Sequence, residues 1–97
     1  MRLCDRRVKI VGTIGPASAS AEGLEKAIRS GLNIARLNFS HGAHEDHLQV
    51  LTSLRKLSKD LGAPVSILQD LQGPKIRVGQ FANGPMELKE NTEVELR

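Results

Sequence analysis

Apolar positions along this 97-residue chain follow two rhythms in turn, and each change of rhythm marks an element. VKIVGTI, residues 8–14, is rich in β-branched residues and runs into Gly15-Pro16, which predicts a short buried strand. Ser18 or Ser20 then offers a helix cap. Ala21, Leu24, Ala27 and Ile28 recur at helical spacing, and Gly31 ends that helix. LNIARLNF, residues 32–39, predicts a second strand. The next helix runs from about His44 to Leu61, with Leu48, Leu51, Leu54, Leu57 and Leu61 on one apolar stripe. Gly62 stops it and Pro64 prevents its continuation. PVSILQDL, residues 64–71, predicts a third short strand before Gly73-Pro74.

The order is strand, helix, strand, helix, strand, the spacing of two consecutive βαβ units in an α/β fold. Such units imply neighbouring parallel strands joined by right-handed crossovers. Three strands and two helices are too few to bury both faces of a sheet. The domain therefore continues beyond this chain, or something else covers it. After Arg77 the pattern changes: VGQFANGPMELKENTEVELR carries turn signals at Asn83-Gly84-Pro85 and Glu90-Asn91. Alternating segments surround them, with Met86 and Leu88, then Val94 and Leu96, which predicts antiparallel strands opening a separate β-rich domain. The expected division is residues 1–77 and residues 78–97.

Composition narrows this picture. With no Trp or Tyr and only two Phe, the core must be built from aliphatic residues. The net charge of +3 comes largely from Arg2, Arg6, Arg7 and Lys9. A nucleic-acid binder would want a longer basic stripe with aromatic stacking residues, so no nucleic-acid partner is expected. Cys4 is the only cysteine and cannot form an internal disulfide, which suits a reducing cytoplasm. The start MRLCDRRVKIVG has the charge of a signal peptide without its apolar region, and no segment approaches a membrane span. A soluble, cytoplasmic protein with no membrane partner is the expectation.

In a parallel α/β fold, ligand chemistry gathers at the carboxyl ends of the strands. The first predicted strand ends in Thr13, Gly15 and Pro16. The second ends in Asn38, Ser40 and His41, with Arg36 upstream, and the third ends in Asp70, followed by Lys75 and Arg77. Strand periodicity gives Arg36, Asn38 and Ser40 a common side if the extended conformation persists that far. An arginine, an amide and a hydroxyl so aligned suit an oxyanion-rich ligand, because Arg binds phosphate bidentately. Asp70 adds a carboxylate able to take a metal ion or hold a cation in place. The set is cationic with one acid, which favours phosphate chemistry.

Plainer readings stand beside these. Arg36 also reads as a structural charge paired with Asp70, and Asn38 and Ser40 as turn residues capping the next helix. His41 alone is more often structural than catalytic, and His44 and His47 read as solvated rather than metal-bound. Lys75 in isolation is a surface charge. The combination at three consecutive strand ends is what resists these readings.

KIVGTIGPAS, GLNIARLNFSHG and ILQDLQGPKIRVG, in this order and spacing, resemble the amino-terminal part of the pyruvate kinase family, closely over about residues 7–80. The resemblance implies that the three strands open a (β/α)8 TIM barrel and that residues from about Val78 begin a small inserted β-rich domain. It implies phosphoryl transfer from phosphoenolpyruvate to ADP, giving pyruvate and ATP in the last step of glycolysis, by a Mg²⁺-requiring, ATP-binding enzyme that is a homo-oligomer, a tetramer when complete. Carried over by position, Arg36 matches the arginine on the phosphoenolpyruvate phosphoryl group. Asn38, Phe39, Ser40 and His41 match the nucleotide-contacting segment, and Arg77 an arginine near phosphate and nucleotide. Asn38, Ser40, Asp70 and Leu71 match ligands of the family's monovalent cation.

The chain departs from the family at one informative place. Potassium-dependent members resemble DTKGPEIRTG here, with a glutamate where this chain has Lys75. Leu71, Gln72, Lys75 and Val78 look instead like the potassium-independent branch. A lysine ammonium near the site would replace the cation's charge, leaving K⁺ dispensable and the monovalent cation positions unused. The family's catalytic lysine and its Mg²⁺ ligands match positions beyond residue 97, so no catalytic residue is expected on this chain and it is expected to be inactive alone. The alternative is a stand-alone, non-catalytic module that self-associates or binds a partner through its open sheet.

Overall fold

The structure, a computed structural model, describes residues 5–95. Five elements follow one another: β1 (Val11–Thr13), α1 (Ala21–Ser30), β2 (Ile34–Asn38), α2 (His44–Leu61) and β3 (Ser66–Asp70). Both helices lie where the apolar spacing predicts them. Of the two candidate caps for α1, Ser20 is the one used, its Oγ accepting from the Gly23 N–H at 3.0 Å. At its other end Gly31 turns left-handed at φ 118°, a conformation a side chain would resist, and α1 stops. Helix α2 begins without a capping side chain at Ala43. Instead the Asp46 carboxylate reaches back to accept from the Ala43 N–H at 3.4 Å.

The three strands form one parallel sheet in the order β1-β2-β3. Val11 pairs with Ile34 and Thr13 with Arg36, while Ile34 pairs with Ser66 and Asn38 with Asp70. Each crossover steps the sheet in the same direction, so right-handed connections put both helices on the same face. The buried residues bear this out: Leu24 and Ile28 of α1, Ala35 and Leu37 of β2, Val50 and Leu54 of α2, and Val65 form one aliphatic cluster. Gly12 belongs to this packed face, since a Cβ there would lie 2.6 Å from Leu32 Cδ1. Among the described residues, no layer covers the opposite face. Val11 and Leu68 remain exposed there, with Ile34, Arg36 and Asn38 between them at half-burial.

Three expectations need correction. The apolar stripe of α2 is centred on Val50 and Leu54; Leu48, expected on it, is 61% exposed, because the helix rolls its Val50 side onto β2. Strand β1 is shorter than predicted, with Val8 and Ile10 outside it and exposed. The antiparallel pairs expected after Val78 do not form: among the described residues, 71–95 contain turns near Asn83-Gly84 and Glu90-Asn91 but no strand. Met86, Leu88 and Val94 are exposed there, since alternation stabilises a strand only when a neighbouring strand accepts its hydrogen bonds. This segment stretches the chain to a radius of gyration of 18.8 Å, against about 12.5 Å for a compact chain of this length. Cys4, Arg2 and Leu96 lie outside the described residues.

Candidate active site

Arg36 is the centre of the carboxyl edge of the sheet. Its Nε donates to Asp70 Oδ2 at 3.0 Å and its Nη2 contacts the same oxygen, while Nη1 donates to Thr13 Oγ1 at 3.0 Å. One guanidinium thus spans all three strands. The placement follows from the register: Thr13 sits beside Arg36 on β1, and on β3 Asp70 lies two residues beyond Leu68, the partner of Arg36, and so on the same side of the sheet. Three of the five guanidinium N–H groups are spent on these bonds. One N–H on Nη1 and one on Nη2 are left by them, two donors for the oxygens of a phosphate or carboxylate. Arg36 is a third exposed at its side chain and Asp70 somewhat more, so the pair adds little to stability and mainly fixes orientation.

The structural reading of Arg36 as a partner of Asp70 is therefore correct as geometry, and it does not exhaust the residue. The sequence pattern places Thr13 only at the end of the first strand. Its role depends on lateral pairing with β2, which the β1 segment alone does not reveal.

Ser40 does not share the strand face expected for it. The extended conformation stops at Asn38, and the chain turns through Phe39 and Ser40. Asn38 Oδ1 accepts from the Ser40 N–H at 3.0 Å, an Asx turn that fixes where Ser40 points. The Phe39 N–H donates to the Asp70 carbonyl at 2.9 Å, so Asp70 anchors both Arg36 through its side chain and the turn through its backbone. Lys75 crosses from beyond β3 and donates from Nζ to Ser40 Oγ at 3.3 Å. Ser40, His41, Gln72, Gly73, Lys75 and Arg77 line one polar groove of about 390 Å³. Leu71 is exposed beside it.

Phe39 turns away from this groove. Its ring stacks on His47 at a centroid distance of 4.3 Å and meets His44 at 5.6 Å. His47, read as solvated, is half-buried and contacts the His41 carbonyl through Nε2 at 2.7 Å. A larger, mostly apolar cavity of about 960 Å³ lies between the β1–α1 loop and α2, reaching from Thr13 and Ile14 to Val50 and Ser53.

The donor set speaks to the cation positions. Asn38 Oδ1 is committed to the Ser40 amide, Asp70 Oδ2 to Arg36, and Ser40 Oγ to the Lys75 ammonium. The Lys75 ammonium already stands at one of these oxygens, Ser40 Oγ, so a monovalent ion beside it would meet a like charge. Among the described residues, no three or more His, Cys, Asp or Glu side chains gather as a metal site.

Comparison with known proteins decides the family. The model of the family described as "Pyruvate kinase, barrel domain" matches residues 5–97. The chain belongs to the pyruvate kinase family. It is 52% identical over 89 residues to a pyruvate kinase of Staphylococcus saprophyticus, covering 92% of this chain and 15% of that protein. It is 54% identical over 80 residues to one of Corynebacterium glutamicum, covering 82% of this chain and 17% of the relative. A crystal structure of a pyruvate kinase from Cryptosporidium parvum superposes with a TM-score of 0.73 at 40% identity, covering 84% of this chain and 17% of that one. The chain thus spans about a sixth of the length of these relatives. Among the described residues no helix is long and apolar enough to cross a membrane.

Proposed function

We propose that this chain forms the phosphoryl-binding edge of a pyruvate kinase, which transfers a phosphoryl group from phosphoenolpyruvate to ADP to give pyruvate and ATP once the rest of a (β/α)8 barrel closes around the open sheet face. The observation that carries the reading is Arg36, braced by Thr13 and Asp70 so that one N–H on each of Nη1 and Nη2 remains for an oxyanion. Phosphoryl transfer asks a protein chiefly for positioning and for fixed positive charge near the equatorial oxygens. Arg36 would hold the substrate phosphoryl group, and Arg77 would add charge from across the groove. Asn38, Phe39, Ser40 and His41 would form the nucleotide side, with Phe39 contributing through its backbone, because its ring is engaged with His47.

Lys75 takes the place of potassium in this reading. Its ammonium rests on Ser40 Oγ, one of the positions that would otherwise bind the ion. The enzyme that continues this chain is then active without added K⁺, whereas strong activation by K⁺ over Na⁺ at fixed ionic strength contradicts the reading. Mg²⁺ ligands and the enolate-stabilising lysine belong to the remainder of the barrel, so the 97-residue chain alone is inactive. Turnover above a blank with phosphoenolpyruvate, ADP and Mg²⁺ would refute that. Residues from about Val78 begin the inserted β-rich domain and gain strand partners only from chain that follows.

The decisive experiment is Arg36→Lys in the complete enzyme. A lysine keeps the charge but loses these two donors, and kcat/KM falls by about a hundredfold or more if they hold the transferring group. Unchanged kcat/KM removes Arg36 from the site. A second reading, self-association through the bare sheet face, draws on the exposed Val11 and Leu68. Sedimentation of this chain as a monomer at all concentrations would set it aside.

A further inference from the structure

Six contacts converge on the turn between β2 and α2, and those from α2 have no role in the site as derived so far. The Phe39 N–H is held by the Asp70 carbonyl, the Ser40 N–H by Asn38 Oδ1 and the His41 N–H by the Asn38 carbonyl at 3.2 Å. These fix the β2 side of the turn. From the α2 side, His47 Nε2 meets the His41 carbonyl at 2.7 Å, and its ring lies against Phe39, 14° from parallel. Gly42 makes the approach feasible. At φ 77° it turns the His41 carbonyl toward α2, and a Cβ on Gly42 would come within 3.4 Å of His47 Nε2. His44, one turn earlier on the same helix face, lies 5.6 Å from the same Phe39 ring, tilted by 51°.

We infer that His47 is a positioning residue: it acts as a strut from α2 that holds the Phe39–Gly42 turn, and through it Ser40 and His41, in place beside Lys75 and Arg77. Because the partner is a carbonyl, Nε2 must carry the hydrogen, which fixes the tautomer of the neutral ring. The ring supplies two separable contacts, a donated hydrogen bond and a stacked face. Half-buried Ser40 and exposed His41 contribute to the groove from a turn in which their own amides are tied to Asn38, the last residue of β2. Without a brace from α2, that turn can swing on its β2 hinge while the strand stays paired. The consequence for ligand binding rests on the groove being the phosphate-binding site proposed above; the strut itself does not.

The test uses this chain labelled with ¹⁵N. In the unsubstituted chain the His47 imidazole shifts report a protonated Nε2, and a predominant Nδ1–H tautomer overturns the inference even if a variant fails to fold. In His47→Ala, hydrogen exchange at the Ser40 and His41 amides accelerates about tenfold, the loss of one hydrogen bond and its stacking, while the Leu24 and Leu54 amides keep their protection. Equal acceleration at all four amides, or none at Ser40 and His41, overturns it, since a residue that merely stabilises the fold would loosen every amide alike. His47→Gln keeps a donor and His47→Phe keeps a stacking face, so each restores part of the protection; restoration by neither overturns the inference. Titration with inorganic phosphate, followed at the Lys75 and Arg77 amides, separates the two readings. A several-fold weaker response in His47→Ala supports both. No response in the unsubstituted chain, with the turn still loosened by His47→Ala, leaves the strut standing and removes the phosphate site.

Discussion

The two faces of β2 obey opposite rules. On one side Ala35 and Leu37 are sealed beneath α1 and α2, in a cluster where every member is aliphatic. On the other, Arg36 and Asn38 are half-exposed and committed to polar partners, Arg36 to Thr13 and Asp70, Asn38 to the turn that follows. Burial of apolar surface carries the stability of the first face, since it scales with area removed from water. The second face contributes orientation: half-exposed ion pairs are worth little energetically, but a guanidinium bonded on two sides has one direction left to point. Fold and site are thus written on alternate residues of the same five-residue strand.

Substitutions on the two faces should separate cleanly by size. Leu54→Ala, which hollows the covered side, is expected to destabilise the chain by about 2–5 kcal/mol, measured by urea unfolding. A loss below about 1 kcal/mol would mean that α2 is not seated on the sheet as described. Gly12→Val intrudes on Leu32 in the same layer and should cost about 1–3 kcal/mol through forced repacking. The same melts on Ser20→Ala, which removes the cap of α1 and leaves the Gly23 amide unsatisfied, should show a loss of about 1 kcal/mol. Arg36→Met, on the open side, is expected to change stability by less than about 1 kcal/mol. It should nevertheless abolish the phosphate-induced amide shifts at the strand ends. A large stability loss from this last change would erase the distinction between the faces.

Much of the covered face was legible beforehand because it depends on short-range pattern. Helical spacing, Ser20 before α1, Gly31 after it and the Gly62-x-Pro64 stop located both helices within a residue or two. The misplacement of Leu48 shows the limit of that legibility. Six apolar residues on α2 lie close enough in angle that spacing alone does not choose which edge of the stripe meets β2. Ser40 failed for a related reason: period-two reasoning holds only while the chain is extended, and Asn38 ends the strand by offering its own side chain to the Ser40 amide. His47 reads as solvated in the sequence because nothing in its neighbourhood on α2 announces that the preceding turn folds back onto it.

What residues determined by themselves were the element types, their order, the aliphatic character of the core and the family, through the RLNFSHG and GPKIR segments. These arise from interactions within a few residues, or from motifs that survive being read one at a time. Which polar groups meet was decided only by the tertiary structure. Thr13 and Asp70 lie 23 and 34 positions from Arg36, and Lys75 lies 35 from Ser40. Strand register and crossover direction bring such distant residues together, and both are set by burying the helix-facing side of the sheet, not by the polar residues that profit from it.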